Sequence, residues 1–457
     1  MPKLDVDTTE FRAAGHRIVD WIADYFESIE SYPALSRVQP GDVAKQFAAA
    51  AEETGKSYET LLAEFERKIV PGITHWNHPS FFAYFSITGS QAGILGELLT
   101  AALNANGMLW KTSPALTELE TLALRWMRDA MGLPGDLFGI INDTASINVF
   151  LAIAAAREAT NLHIRSEGMA GRTLPALRLY CSEHAHSSVD KAALALGFGQ
   201  KNIVKIPADA RFAMRPDALE EAIVKDRAAG FLPCVVVATT GTTSTAAVDP
   251  VRAIGTIAKR EGCWLHVDAA YAGSATICPE FRWIWDGIEL ADSIVTNPHK
   301  WLFTPIDCSV LYTKRPDVLR ETFSLVPEYL KTTDTAEINY MDYGLQLGRR
   351  FRALKLWMVF EHYGLERLRN VIRGHVAYAE RLAAELRARN GVEVLSQSFS
   401  VVVFRLRSDD ETMAALERMN ESVFVSHSKL KNQYVIRVAI GNGATEWRHV
   451  EKILAAL

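Results

Sequence analysis

The chain has 457 residues, 49% hydrophobic and 23% charged, with a formal net charge of -5, the profile of a soluble globular protein with two or more subdomains. The slight negative charge and the lack of a basic tract argue against nucleic acid and anionic membranes as partners. No stretch approaches the roughly 18 apolar residues of a membrane span and the N-terminus lacks a signal-peptide core, so a cytoplasmic location is expected. Five scattered cysteines without CxxC spacing predict neither a disulfide framework nor a zinc site.

Residues 1–90 read as a helical segment. Asp7 and Glu10 can form a capping box, and Phe11, Ile18, Trp21, Ile22, Tyr25 and Phe26 fall on one face, to meet either the chain's own core or another subunit. In the following His75-Trp-Asn-His-Pro-Ser-Phe-Phe-Ala-Tyr-Phe85, His75 and His78 have metal-like spacing. Pro79 breaks a regular helix there and no acidic third ligand lies close, so no metal is expected. The aromatic cluster is core or pocket. Residues 91–357 read as a large α/β domain. Asn104–Glu120 is a loop entering a helix, with Thr112 or Ser113 as N-cap and Pro114 at the first position. Asp143-Thr-Ala-Ser-Ile-Asn148 precedes the helical run Val149–Arg157 and could be a simple cap or an anion-binding helix start. Walker A and GxGxxG sequences are absent. Leu179–Ser188 is a strand entering a helix, with His184 and His186 open as metal ligands or surface residues. Pro233–Ser244 is a β-branched strand ending in a polar loop. Two short apolar runs follow: Trp264–Val267 stops at Asp268, and Ser293–Thr296 leads into Asn297, Pro298, His299 and Lys300. Asp307–Thr313 is a further strand. The polar stretch from Leu325 to about Asp342 is long for a structureless loop, which predicts a functional lid. Residues 358–457 read as a small α+β domain, with helices over 365–389 and 410–420, strands over 400–406, 423–426 and 434–439, and a last helix from Thr445.

Short apolar runs bounded by polar residues are expected to be buried parallel strands, and ligands of open α/β sheets sit at the carboxyl ends of such strands. Asp268 and Lys300 are therefore expected to face one crevice. They could form an ordinary buried ion pair. They could also hold pyridoxal phosphate (PLP), which needs a lysine amine for its aldehyde and an acid to keep its pyridine nitrogen protonated. The two segments His266-Val-Asp-Ala-Ala-Tyr-Ala-Gly273 and Asn297-Pro-His-Lys-Trp301, in this order and spacing, resemble the group II PLP-dependent decarboxylases, specifically the aromatic L-amino acid decarboxylases.

That resemblance implies PLP fold type I, aspartate aminotransferase-like, with a mostly parallel central sheet, an N-terminal helical segment and a small C-terminal α+β domain. It implies a homodimer with shared active sites, the N-terminal helices wrapping around the partner. Lys300 would carry PLP, Asp268 would face the pyridine nitrogen, and His186, in Ala-His-Ser-Ser, would stack on the ring and restrain the substrate carboxylate. Ala145 and Ser146 would hold the phosphate, with Gly348 of Leu-Gly-Arg-Arg-Phe-Arg reaching it from the neighbouring subunit. Thr243, Ala270, Asn297 and His299 would complete the cofactor site. Trp76, Tyr84 and Phe85 would line an aromatic substrate pocket, with Met108 contributed in trans. Where several animal members have Pro-Thr after this phenylalanine, the chain has Ser86-Ile87, so a threonine contact is lost or moves to Thr88. Tyr329, in Pro327-Glu-Tyr-Leu-Lys331, matches the tyrosine of the family's mobile catalytic loop and would be the general acid.

The expected reaction is decarboxylation of L-aromatic amino acids to arylethylamines. Oxygen-dependent conversion to an aldehyde is the runner-up; members doing so typically replace the loop tyrosine or the stacking histidine, and both remain here. An acidic substrate would need a cation, and none stands among Trp76, Tyr84, Phe85 and Met108. The non-enzyme alternative is an inactive family member serving as a binding or structural dimer; it predicts erosion of the lysine or its partner acid, and Lys300 and Asp268 are both intact.

Overall fold

The structure is a computed structural model that describes residues 7–325 and 337–457. Its centre is a seven-stranded sheet in the order β1-β7-β6-β5-β4-β2-β3. The strands are β1 Phe138–Asn142, β2 Leu177–Ser182, β3 Ile203–Ile206, β4 Leu232–Thr239, β5 Trp264–Asp268, β6 Ser293–Thr296 and β7 Ser309–Thr313. β4, β5 and β6 are almost wholly buried, as the central strands of a sheet covered on both faces must be. Only β7 opposes its neighbours, a direction that an apolar run does not encode. Five cysteines, Cys181, Cys234, Cys263, Cys278 and Cys308, are reduced and buried in or beside this sheet.

A second, antiparallel sheet has the order β10-β11-β9-β8, with β8 Glu393–Ser398, β9 Val401–Arg405, β10 Ser426–Leu430 and β11 Gln433–Ala439. β8 is half-exposed along its length and carries no periodic signal, which is why it escaped the sequence pattern. The strand expected over 423–426 lies elsewhere: β10 begins at Ser426, and the apolar residues before it pair with a segment near the N-terminus. There the Phe82 N–H donates to the Phe424 carbonyl at 2.7 Å and the Phe424 N–H to the Ser80 carbonyl at 3.0 Å. The helix Arg352–Arg387 is broken at Gly364, whose φ of +65° only glycine adopts readily.

The N-terminal region is less helical than expected. Thr8–Glu27 is one helix, capped by the Asp7 carboxylate, which accepts from the Thr9 N–H at 2.8 Å. Pro33, Pro40 and Gly41 then leave only short turns until the helix Tyr58–Glu64. Trp21 and Tyr25 stack at 5.4 Å, and the Tyr25 hydroxyl meets His75 Nδ1 at 2.9 Å. Arg448, in the last helix, donates to both Glu30 oxygens at 2.8 and 2.6 Å. The outer end of the aromatic stripe is uncovered, with Phe11 65% exposed, and Leu95, Leu98, Leu99 and Leu103 are exposed along the helix Gln91–Leu103. No described helix is long and apolar enough to cross a membrane.

Candidate active site

One edge of the large sheet gathers the polar strand ends: Asn142, Ser182, Thr239, Asp268 and Thr296 close their strands, and Ser309, opposite Asn142, opens the reversed β7. β4 and β5 bring Thr239 level with Asp268, and β6 brings Val295 level with it. Asp268 is buried, and its Oδ1 accepts the Ala270 N–H at 3.1 Å. Beyond β6, Pro298 has no N–H to continue the ladder and starts the single helical turn Pro298–Trp301. That turn carries the Lys300 amine inward, to 5.1 Å from the Phe85 ring centre. Burial draws the Lys300 pKa down, against the pull of Asp268 and with the push of Arg437. Among the described residues no carboxylate lies within ion-pair distance of this amine, so Asp268 and Lys300 do not form the structural ion pair that was the plainer alternative.

His186 joins them. It caps the helix Ser187–Ala195, its Nδ1 accepting the Ser188 N–H at 3.2 Å and meeting the Ser188 hydroxyl at 2.8 Å. Burial lowers its pKa, and both Asp268 and Lys300 act on it electrostatically. His184 instead packs edge-on against Phe212 at 5.7 Å. Ala145 and Ser146 begin the helix Ala145–Glu158, whose N-cap Thr144 makes no side-chain cap bond. Its first N–H groups thus have no intrahelical partner, a natural seat for an anion.

A buried relay ties this helix to the lysine turn. Asn142 Nδ2 donates to Asn148 Oδ1 at 2.7 Å, Asn148 Nδ2 to Ser309 Oγ at 2.7 Å, and Ser309 Oγ to Asn297 Oδ1 at 2.6 Å. His299 Nδ1 accepts the Cys308 N–H at 2.9 Å, and burial holds its pKa at about 3. These atoms of Asn297 and His299 therefore serve the scaffold, as the Ala270 N–H serves Asp268. Thr243 is exposed, and its carbonyl accepts from Arg437 Nε at 2.7 Å.

The aromatic residues divide. Phe85 is buried, stacks on Tyr271 at 4.0 Å and reaches Lys300. Trp76 and Tyr84 stack on one another at 5.8 Å, and Tyr84 is 56% exposed. Thr88 is no free substitute for the displaced threonine, because its hydroxyl is buried and donates to the Gly441 carbonyl at 3.3 Å. Met108 and Gly348 belong to a separate patch, where the Met341 N–H donates to the Met108 carbonyl at 3.3 Å and the Arg349 N–H to Asn106 Oδ1 at 2.9 Å. Among the described residues no hydrogen bond or ring contact joins either to Lys300. Tyr329 lies outside the described residues. His75 and His78 each use Nδ1, on the Tyr25 hydroxyl and the Ser80 N–H.

The sequence pattern missed Arg437. It sits on β11, nearly wholly buried, with its guanidinium carbon 4.4 Å from the centre of the same Phe85 ring that Lys300 meets. No cation is found among Trp76, Tyr84, Phe85 and Met108 themselves, but β11 brings one, Arg437, to the Phe85 ring.

The donor set fits PLP. An amine with no ion pair among the described residues can carry the aldehyde, a buried carboxylate can face the ring nitrogen, an uncapped helix start can hold the phosphate, and an imidazole stands close to both ionisable groups. Among the described residues, the buried hydroxyls of Thr239 and Thr240 beside Asp268 find no hydrogen-bond partner. A family model described as the pyridoxal-dependent decarboxylase conserved domain matches residues 40–407. The chain is 40% identical over 468 residues to tryptophan decarboxylase 2 of Oryza sativa subsp. japonica, covering 98% of this chain and 93% of that one. It is 40% identical over 474 residues to phenylacetaldehyde synthase of a Rosa hybrid cultivar, covering 97% and 92%. A crystal structure of Oryza sativa TDC with PLP and tryptamine superposes with a TM-score of 0.95 at 38% identity, covering 100% and 99% of the two chains.

Proposed function

The chain belongs to the pyridoxal-dependent decarboxylases, and from that premise we propose that it converts L-aromatic amino acids to arylethylamines and CO2. It is a PLP-dependent carboxy-lyase. The observation that carries the reading is the half-buried Lys300, its amine without an ion pair among the described residues, within the influence of Asp268 and against the Phe85 ring.

When bound, PLP supplies an electron sink for the pair left as CO2 departs. The residues around it have separable tasks. Lys300, its amine biased toward the neutral nucleophile by burial, would carry the cofactor until substrate displaces it. Asp268, anchored by the Ala270 N–H, would hold a proton at the pyridine nitrogen. The N–H groups at Ala145 and Ser146 would bind phosphate, with Thr243, Asn297 and His299 lining the site. His186, on the ring face, would restrain the carboxylate. Phe85, with Trp76 and Tyr84 farther out, would form the aromatic wall and exclude water. Met108 and Gly348, which make no hydrogen bond or ring contact with Lys300 among the described residues, would act in the partner's site of a cytoplasmic homodimer. Tyr329 would return a proton to the carbon that lost CO2.

Because Arg437 stands beside Phe85, the aromatic reading draws its support from the ring lining and the relatives, not from a lack of cations. The second reading, aldehyde formation, is favoured by the likeness to a phenylacetaldehyde synthase. The test is to supply the PLP-loaded protein with L-tryptophan, L-tyrosine, L-phenylalanine, L-DOPA and L-glutamate, and to measure amine, aldehyde and peroxide together. Amine from at least one aromatic substrate in excess of aldehyde is expected. Aldehyde with stoichiometric peroxide would establish the second reading, and turnover of glutamate alone would overturn both.

A further inference from the structure

The side-chain amide of Asn297 is only half used. Its Oδ1 accepts from Ser309 Oγ at 2.6 Å, but among the described residues its Nδ2 has no hydrogen-bond partner, although only 1% of the residue is exposed. The backbone says where this residue stands. The Asn297 N–H donates to the Ala270 carbonyl at 3.3 Å, and the Asn297 carbonyl accepts the Lys300 N–H at 3.0 Å. Ala270 in turn donates to Asp268. Asn297 thus links the carboxylate and the lysine of the expected cofactor site. A primary amide can offer that site either its N–H2 or its carbonyl oxygen, two ends of similar size and opposite polarity. Whatever holds one end decides which is offered.

What holds it is a run of three buried side chains. Ser309 has one hydroxyl proton. Its Oγ accepts from Asn148 Nδ2 at 2.7 Å, so the proton goes to Asn297 Oδ1, and Asn148 Oδ1 accepts from Asn142 Nδ2 at 2.7 Å. Asn148 and Ser309 are 0% exposed and Asn142 4%, so bulk water does not compete for these bonds. In such an interior each bond polarises the next and the run keeps one direction. Reversed, it would turn the Asn297 oxygen toward the oxygens of an anionic cofactor. As it stands, it offers them a donor. A strut alone would have closed that N–H on a protein carbonyl. Asn148 also closes the first turn of the helix Ala145–Glu158, its N–H reaching the Thr144 carbonyl at 3.1 Å, where the N-cap side chain makes no cap bond. One residue therefore ties the anion seat of that helix to the turn carrying Lys300.

Resting on the reading that Asn297 lines the PLP site, we infer that Asn148 is a positioning residue for the cofactor: through Ser309 it fixes the Asn297 amide with its N–H2 toward an acceptor oxygen of PLP, on the phosphate or the ring. Asn148 acts through Asn297 and takes no part in the chemistry. The same line of bonds holds the helix start and the lysine turn in register and aims the donor between them.

The test is the rate at which PLP leaves the loaded protein, followed by the bound-cofactor absorbance after dilution into a scavenger of free PLP. Asn148→Ala and Ser309→Ala should each release PLP about tenfold or more faster than the parent, the scale of one hydrogen bond to a charged group. Their double variant should be within about twofold of either single, and in an Asn297→Ala background Asn148→Ala should change the rate by less than about twofold, because a residue acting through another loses its effect when that other is gone. A residue that only props the fold would add its effect in every background, and additive effects would overturn the inference while leaving Asn297 in the site. Release from Asn297→Ala at the parent rate would remove Asn297 from the cofactor site and overturn both. Phosphorus NMR of the bound cofactor names the oxygen: a resonance displaced in Asn148→Ala assigns the phosphate, and one unmoved beside faster release assigns the ring hydroxyl, either in support. Should the variants fail to fold, a crystal structure of the PLP-loaded parent decides. The free end of the Asn297 amide belongs within about 3.2 Å of a cofactor oxygen, and a water or protein carbonyl there instead would overturn the inference.

Discussion

The Ser188 N–H donates to His186 Nδ1 at 3.2 Å, so the proton of the neutral imidazole resides on Nε2. A backbone amide can only donate, which leaves Nδ1 no role but acceptor. Burial lowers the ring's pKa from its ordinary 6.5, and the neutral tautomer should persist as pH falls through that value. His186→Phe would keep a ring against the cofactor but lose the Nε2–H. The variant should retain the absorbance of bound PLP and lose roughly 10²- to 10⁴-fold in turnover, the usual scale for a positioned proton donor. Turnover within threefold of the parent would show that stacking alone suffices.

Gly348 can be tested as a residue of the partner's site. Among the described residues beyond its chain neighbours, a Cβ placed on it meets nothing closer than 3.7 Å, the nearest atom being of Asn106, and its φ is not in the left-handed region. Gly348→Leu should therefore fold with a melting temperature close to the parent's yet lose activity. Mixed dimers of inactive Gly348→Leu and inactive Lys300→Ala subunits should regain part of the activity. Heterodimers shown to form but remaining inactive would count against shared sites.

Tyr329 separates the two product readings. The carbon that has lost CO2 must take a proton before oxygen reaches it, and a phenol near it can supply one. Tyr329→Phe is expected to keep PLP, lose most amine formation and gain aldehyde, ammonia and peroxide in air. Among rival phenols, Tyr340 is held by the Thr121 hydroxyl at 2.9 Å and is buried, which argues against it. Amine production at the parent rate by Tyr329→Phe, with loss in Tyr343→Phe, would move the role to Tyr343.

A stability prediction concerns Glu120. It is wholly buried, accepts from Arg349 Nη2 at 2.6 Å and takes the Ile141 N–H of β1 at 2.9 Å. Glu120→Gln would leave the Arg349 charge buried and unpaired, at a cost on the order of 3–5 kcal/mol. A joint change of Glu120 and Arg349 to Leu and Met should cost less than Glu120→Gln alone when unfolding is followed in urea. The reverse order would mean that the Ile141 hydrogen bond, not the charge pairing, dominates.

Much of the site could be read from the chain because its residues stand at the ends of short apolar runs. Asp268 and Lys300 follow such runs, and β5 and β6 place them on one edge. The direction of β7 could not be read, since an apolar run has the same pattern either way. Arg437 was invisible for another reason: it lies in the middle of β11, 137 positions beyond Lys300, and reads there as a lone charge in a strand. Only the pairing of β11 with β9 and β10 turns it inward to Phe85. Likewise, the apolar residues before β10 looked like a strand of the small sheet because periodicity shows that a segment pairs, not with what.

All five cysteines are buried, and burial pushes the thiols of Cys181 and Cys278 up to about 11 and those of Cys263 and Cys308 to about 12. Thiolate, the form that reacts with alkylating reagents, is therefore scarce as well as shielded. Each sulfur can be labelled only after its part of the chain has opened. Because the five are spread from Cys181 to Cys308, across β2, β4 and the segments flanking β5 and β7, the order in which they are trapped by iodoacetamide under native conditions would chart which parts of the large sheet come apart first, without any label having to be introduced.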